Sequence, residues 1–290
     1  MREVLAALLE VLDLGGRGAL ATVVRASGST PQQVGARLLL RPDGTFAGTV
    51  GGGAIEQAIA AELRECARDG RPRYVTKDLL RDLGMCCGGR MEVLVEPIEG
   101  RPRLLVFGAG HVARPTAAIA VSLGYRVVVV DDREDLNTQD RFPGCERILA
   151  EPSEAAAILA PTERDYLVVV THDHRLDEEA LDTYARLPHA YLGVIGSRRK
   201  IYRILQRIQV RRGLPSLDRV YAPVGLDLGA VGPEEIAVSI AAELVALRHG
   251  KPATHLRAID DPALAKVLGG ELTPEAAAAI EPTSSSRSGA

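Results

Sequence analysis

The sequence predicts an α/β protein whose larger part is built on a parallel sheet. Continuous apolar runs, which are typical of strands buried on both faces, occur at 104–107, 126–130 and 166–170. Stretches with helical spacing lie between such runs, and this alternation indicates strand–helix–strand units. A short glycine turn follows the first run, as expected where a buried strand passes directly into a helix.

The chain of 290 residues is long enough for two domains of ordinary size. The stretch from Pro97 to Pro102 shows no periodicity and has Glu99-Gly100 at its centre, so we predict a linker at 99–102. An α/β domain over residues 1–98 would precede it, and a domain with a Rossmann-like parallel sheet would follow over 103–250. Residues 251–290 would form a C-terminal extension, which is Pro- and Ser-rich from about 281 and predicted to be disordered from there.

The first domain is predicted to alternate helices with short strands. Apolar residues at helical spacing begin the chain, and Gly15-Gly16 ends that helix. A Pro-Asp-Gly turn at 42–44 lies between two apolar runs and predicts a hairpin. The predicted strands are 20–24, 36–40, 45–50, 74–76 and 91–95, with a helix over 54–68.

Composition excludes several classes of partner. A net charge of −3 argues against nucleic acid or an anionic membrane surface as the main partner. No apolar stretch approaches the ~20 residues that span a bilayer, and the first dozen residues lack a signal-peptide layout. We therefore expect a cytoplasmic protein, in which the four cysteines are thiols by default.

A dinucleotide-type fingerprint follows the first buried run of the second domain. Gly108 permits a sharp turn, Gly110 allows a pyrophosphate to approach the backbone, and Ala113 keeps the next helix close to the sheet. His111 lies where the helix N-terminus offers free N–H groups. Asp131 ends the following strand and is placed to accept a hydrogen bond from a ribose hydroxyl.

Two glycine-rich stretches of the first domain are candidate ligand loops. Gly51-Gly52-Gly53 precedes a helix and is either a second anion cradle or a flexible turn, with Glu56 in the first helical turn. Cys86-Cys87-Gly88-Gly89 places adjacent thiols on a loop whose backbone a ligand can approach. Arg90 would favour the thiolate form, which suits metal or sulfur chemistry, whereas burial as small apolar side chains is the alternative.

Two further candidates follow strands of the second domain. Thr171-His172-Asp173-His174 begins at the carboxyl end of a strand, where parallel sheets bind ligands; a metal site is the alternative. Gly196-Ser197-Arg198-Arg199-Lys200 follows another strand and presents three cations at a helix N-terminus. This turn suits a phosphate-bearing ligand, unless it is simply a solvated basic surface.

Together these motifs, with the loop 28–35 and the segment 225–235, resemble the xanthine dehydrogenase accessory family, XdhC/CoxI. Seven motifs occur in the same order over about residues 19–250. The resemblance implies an N-terminal XdhC/CoxI domain, a Rossmann-like domain and a dimer. It departs at Ala54, because many relatives have a cysteine just after the three glycines.

The function implied by the resemblance is that of a molybdenum cofactor chaperone. Such proteins bind molybdopterin cofactor, support its sulfuration with a cysteine desulfurase, and deliver it to a xanthine dehydrogenase-like or CO dehydrogenase-type molybdenum hydroxylase. We predict that Cys86 and Cys87 lie near the metal end of the cofactor, in its plain or dinucleotide form. The remaining predicted cofactor contacts are Gly52, Gly53, Gly88, Gly108, Gly110, His111, Asp131, His172, Ser197, Arg198 and Arg199.

Two other functions are compatible with the sequence. An NAD(P)-dependent oxidoreductase would use Asp131 for the ribose and His111 or His172 as an acid–base group, although no catalytic pair is evident. An adaptor protein with an empty Rossmann domain would need neither a ribose-binding acid nor an acid–base group.

Overall fold

A computed structural model of the protein describes residues 1–84 and 88–254. Its first sheet has five antiparallel strands in the order β3-β2-β1-β5-β4. The elements of this part are α1 (Arg2–Leu14), β1 (Arg17–Ser27), β2 (Arg37–Leu40), β3 (Phe46–Gly48), α2 (Gly53–Asp69), β4 (Arg73–Asp78) and β5 (Arg90–Glu99).

Each face of the first sheet packs on one helix. Helix α2 buries Ile55, Ile59 and Leu63 against one face, because these residues recur on one side of the helix. Helix α1 covers part of the other face through Val4, Ala7 and Val11. Of the apolar residues that recur at helical spacing in this segment, Val4 is buried, whereas Leu5 and Leu9 are exposed.

The predicted hairpin is confirmed as the antiparallel pair β2–β3. Asp43 fixes its turn, because its side chain accepts a hydrogen bond from the backbone N–H of Thr45 at 2.9 Å. Strand β5 is longer than predicted and includes Glu99, which pairs with Arg17. Only residues 100–102 therefore lie between the two sheets.

The second sheet has six parallel strands in the order β11-β10-β9-β6-β7-β8. Its strands are β6 (Arg103–Phe107), β7 (Arg126–Val130), β8 (Glu146–Ile148), β9 (Tyr166–Val169), β10 (Tyr191–Val194) and β11 (Val220–Tyr221). Its helices are α3 (Ala113–Ser122), α4 (Ala156–Leu159), α5 (His174–Tyr184), α6 (Arg198–Arg212) and α7 (Pro233–Arg248).

This strand order is that of a Rossmann fold, and it confirms the predicted fold class. The chain runs outward from β6 through β7 to β8, then returns and runs outward the other way from β9 to β11. The direction reverses between β6 and β9, and a crevice for ligands opens at the carboxyl ends of strands beside such a reversal. The loops after β6, β9 and β10 leave adjacent strands at that edge.

Both sheets belong to one compact unit, Met1–Ala241, and the described residues 242–254 belong to a second unit. The domain boundaries drawn from the sequence stay a prediction, and the predicted disorder from about 281 lies outside the described residues. Across residues 1–84 and 88–254, no helix combines the length and the apolar character that crossing a bilayer requires.

Candidate functional site

The two glycines of the fingerprint have different roles at the end of β6. Gly108 has φ +116°, and a side-chain Cβ there would lie 2.4 Å from the carbonyl oxygen of Val170. This glycine therefore allows the turn to pass close to β9. A Cβ on Gly110 would meet no atom within 4 Å, so the space beside this residue is open to a ligand.

The turn between Gly110 and α3 presents donors and a cation. Among the described residues, the backbone N–H groups of Gly110, His111 and Val112 have no hydrogen-bond acceptor. His111 and Arg114 are exposed beside them. Free N–H groups at the start of a helix favour an anion. The turn itself is held by Arg141, whose guanidinium donates to the carbonyl oxygen of Ala109 at 3.0 Å.

Asp131, predicted to accept from a ribose, is instead bonded within the protein. It is 3% exposed. Its Oδ2 accepts from the N–H of Ala109 at 2.6 Å and from Nη2 of Arg133 at 2.7 Å. Its Oδ1 accepts from the N–H and Nε of Arg133 at 2.9 and 2.8 Å. Burial raises the pKa of Asp131, but these hydrogen bonds outweigh it and hold the pKa below its usual value.

The loop after β9 is ordered by a buried acid that the sequence did not single out. Asp177 is 1% exposed, and its Oδ1 accepts from the N–H and the hydroxyl of Thr171 at 3.2 and 2.7 Å. Asp173 caps α5 by accepting from the N–H of Arg175 at 2.7 Å. His172, between them, is exposed at the carboxyl edge of the sheet.

The basic turn after β10 divides its three cations between two roles. Lys200 was expected to contribute to phosphate binding, but its ammonium donates to Asp177 Oδ2 and to the carbonyl oxygen of Ile195, the latter at 3.1 Å. Arg198 and Arg199 are exposed, and neither has a carboxylate partner within the described part of the chain. Ser197 caps the helix by accepting from the N–H of Lys200 at 3.2 Å.

The triple glycine of the first sheet already holds an anion. Gly51, Gly52 and Gly53 all have positive φ, and Gly52 lies just before α2. Glu56 folds back over this turn, and its Oε2 accepts from the N–H groups of Val50 and Gly52 at 3.3 and 3.2 Å and from the hydroxyl of Thr49. The donors predicted to hold a cofactor at Gly52 are thus occupied by the chain's own carboxylate, while Gly53 is exposed.

The predicted thiols Cys86 and Cys87 lie outside the described residues. Gly88, next to them, is exposed, and Gly89 is buried against the loop 28–30. A Cβ on Gly89 would lie 2.4 Å from the carbonyl oxygen of Ser29, so this position requires glycine. The structure thereby brings one end of the cysteine loop next to the loop that begins at Gly28.

At the carboxyl edge of the parallel sheet, the loops carry Gly108, Gly110, His111, His172 and Ser197, and the first turn of α6 carries Arg198 and Arg199. Asp131, at the end of β7, is bonded within the protein. Gly52, Gly53 and Gly88 lie on loops of the other sheet. The sequence did not predict the structural roles of three charged residues, Arg133, Asp177 and Lys200. The Asp-x-Arg spacing of Asp131 and Arg133 at the end of β7 is a local signal from which an ion pair between them could have been predicted.

No group of three or more His, Cys, Asp or Glu side chains suited to a metal ion occurs in residues 1–84 and 88–254. Within the same residues, Cys66 and Cys145 are buried free thiols. Burial raises the pKa of both thiols, which disfavours the reactive thiolate.

The fold and these loops define a Rossmann-type protein with an open glycine turn and exposed cations at the carboxyl edge of its parallel sheet. Family models described as the XdhC Rossmann domain and as the XdhC and CoxI family match residues 104–244 and 11–79. The chain belongs to the XdhC and CoxI family, as the sequence motifs indicated.

Three relatives extend this comparison. The Escherichia coli K12 protein YqeB, described as uncharacterized, is 36% identical over 81% of this chain and 44% of its own length. A Bacillus subtilis protein described as a probable xanthine dehydrogenase subunit is 34% identical over 54% of this chain and 46% of its own. The molybdenum cofactor insertion chaperone PaoD of Escherichia coli K12 is 24% identical over 85% of this chain and 88% of its own length. The chain spans less than half the length of the first two relatives.

Proposed function

We propose that this protein is a molybdenum cofactor chaperone that serves the maturation of a xanthine dehydrogenase-like molybdenum hydroxylase. It binds molybdopterin cofactor, supports its sulfuration by a cysteine desulfurase, and delivers it to the client enzyme. Membership of the XdhC and CoxI family and the similarity to PaoD support this proposal. The observation that carries it lies at the carboxyl edge of the parallel sheet, where the open glycine turn follows β6, and where α6, after β10, begins with two guanidinium groups that have no carboxylate partner in the described residues.

The residues of the crevice fit the phosphate end of such a cofactor. The open space at Gly110 admits a ligand close to the backbone, and the free N–H groups that follow offer donors to an oxyanion. Arg198 and Arg199 supply planar donors that match phosphate oxygens. When bound, the cofactor supplies a soft molybdenum centre with oxo and sulfido ligands, and thiolates such as Cys86 and Cys87 suit that end.

The two arginines are poorly placed for helix stability, and this favours a ligand role. Cations in the first turn of a helix oppose its dipole, at a cost of about 0.3–1 kcal/mol each. In the described residues, no carboxylate forms an ion pair with Arg198 or Arg199 that would offset this cost. A bound phosphate would provide the missing negative charge.

Pterin retention tests the proposal. The chain is purified from cells competent in molybdenum cofactor synthesis, and its pterin is oxidised and quantified by fluorescence. We expect the wild type to retain pterin and the double variant Arg198→Ala/Arg199→Ala to retain at least about tenfold less, since the loss of even one charge-assisted hydrogen bond costs about 1.5–3 kcal/mol. Arg203→Ala is the matched control, because Arg203 is exposed further along α6.

Gly110→Val separates the proposal from an adaptor with an empty crevice. The side chain fits the fold, because Gly110 has no positive φ and no atom within 4 Å of its Cβ position. A folded Gly110→Val protein should lose pterin and no longer activate the client hydroxylase. A wild type without pterin, or a Gly110→Val protein that retains pterin and activates the client normally, would contradict the proposal.

The thiol part of the proposal has its own test. Cys86→Ala/Cys87→Ala should retain the phosphate-bearing pterin but deliver less sulfurated cofactor to the client. Unchanged pterin retention together with unchanged client activation would eliminate the role of these cysteines and leave the crevice proposal intact.

A further inference from the structure

The place where a dinucleotide-binding Rossmann fold receives its ribose is filled here by a side chain of the protein. In such folds, an acid at the end of the second strand accepts hydrogen bonds from ribose hydroxyls. In this protein Asp131 occupies that position, and Arg133 forms a bidentate ion pair with it through Nε and Nη2.

The carboxylate of Asp131 has no acceptor position left for a ligand. An ionised carboxylate offers about four such positions. The N–H of Ala109, the N–H of Arg133 and two side-chain nitrogens of Arg133 use them at 2.6–2.9 Å. The two hydroxyls of a ribose could bind there only by displacing the guanidinium.

Arg133 lies on the solvent side of this pair. The side chain of Asp131 is 2% exposed, whereas that of Arg133 is 27% exposed. A nucleoside entering from solvent would therefore meet a guanidinium, which offers donors only, in place of an acceptor. Displacing it would also leave a buried carboxylate without its cation, which is unfavourable.

We propose that Arg133 is a specificity-determining residue that excludes nucleosides from the crevice. The ligand admitted is then a phosphate ester without a nucleoside. This inference rests on the proposed function, and it selects the plain molybdopterin form of the cofactor over the dinucleotide form. It also separates this Rossmann domain from those that hold NAD through the hydroxyls of its ribose.

Titration calorimetry of the full chain with NADH and with ADP-ribose tests the role of Arg133 directly. The wild type should show no saturable binding up to millimolar ligand. Arg133→Ala frees two acceptor positions on Asp131 and should bind NADH and ADP-ribose at least about tenfold more tightly than the wild type. Arg133→Lys keeps the positive charge but not the bidentate geometry of a guanidinium, so its gain in affinity should be smaller. Arg203→Ala should behave as the wild type.

Two results would overturn the proposal. One is micromolar binding of NADH or ADP-ribose by the wild type, a measurement that does not depend on any variant folding. The other is a folded Arg133→Ala protein with no gain in affinity.

The composition of the copurified ligand gives an independent measurement. Wild-type protein from cells that make both cofactor forms should contain far less than one nucleotide per pterin. A ratio near one would refute the exclusion of nucleosides and leave the chaperone proposal standing. Absence of any pterin would refute the chaperone proposal, and the NADH titrations would still decide the role of Arg133.

Discussion

The buried pair between Lys200 and Asp177 is expected to be the most sensitive contact of the candidate site. The side chain of Asp177 is 1% exposed and that of Lys200 is 16% exposed. The pair joins two segments of the site, because Asp177 also accepts hydrogen bonds from Thr171 after β9 and Lys200 also donates to the carbonyl oxygen of Ile195 after β10. Lys200→Met removes the cation and keeps most of the side-chain volume.

The magnitude follows from the burial of the acid. Removing one partner of a buried ion pair leaves an uncompensated charge and costs about 3–5 kcal/mol. For a unit of this size, each kcal/mol lowers the melting temperature by about 2–4 °C, so Lys200→Met should lower it by roughly 6–20 °C. Asp177→Asn should cost less, since the amide can still accept from Thr171 and Lys200 can reach water.

A double-mutant cycle provides the assay. Free energies of unfolding from urea denaturation are compared for Lys200→Met, Asp177→Asn and the double variant. We expect the double variant to be more stable than the sum of the single effects by about 1–3 kcal/mol, because no charge is then left buried. Arg203→Met, an exposed change on the same helix, should alter stability by no more than about 0.5 kcal/mol.

Two outcomes would refute this reasoning. If Lys200→Met costs less than about 1 kcal/mol, the pair is not a buried ion pair of the kind described. If the two single effects simply add, Lys200 and Asp177 do not act on each other. Either result would also remove the structural reason for excluding Lys200 from ligand binding.

Three further predictions concern other parts of the chain. Glu56→Ala should destabilise the protein by about 1–3 kcal/mol in urea denaturation, because it leaves three donors without their acceptor, whereas an unchanged midpoint would mean that the acid does not hold the glycine turn. Gly108→Ala should lower the melting temperature clearly, since its Cβ would clash with the Val170 carbonyl at 2.4 Å, and a wild-type value would contradict this close approach. Asp182, a buried acid on α5, pairs with Arg186, Arg211 and Arg212. Burial raises its pKa, but these contacts outweigh burial and hold the pKa below 3.8, so the stabilisation is present above that pH and is lost as the pH falls through the folded pKa. Between pH 6 and pH 3, Asp182→Asn should therefore lose less stability than the wild type, and equal losses in urea denaturation would contradict this.

The fold could be predicted because its signals are local. The apolar run 126–130 coincides with β7, and the turn at 42–44 lies in the predicted hairpin. Helix α1 shows where periodicity fails, because it carries apolar residues on more than one side. The pattern could not distinguish the buried face, which contains Val4 and Val11, from the exposed face, which contains Leu5 and Leu9.

The sequence indicated which loops meet at the carboxyl edge of the parallel sheet, but not the contacts that their charged side chains make. Lys200 looks equivalent to Arg198 and Arg199 in sequence, and only the contact with an acid 23 residues earlier distinguishes it. Asp131 occupies the position that its spacing predicted, yet its availability depends on Arg133. Sequence spacing locates a charged group, whereas its partners in space decide whether it can meet a ligand.

The charges of the site therefore divide according to whether the chain neutralises them. Lys200 is paired with a buried acid and Arg133 with Asp131, so both hold the loops in place. Arg198 and Arg199 have no such partner in the described residues and oppose the dipole of their own helix. These two guanidinium groups would complement an anion that comes from outside the chain, as the proposed function requires.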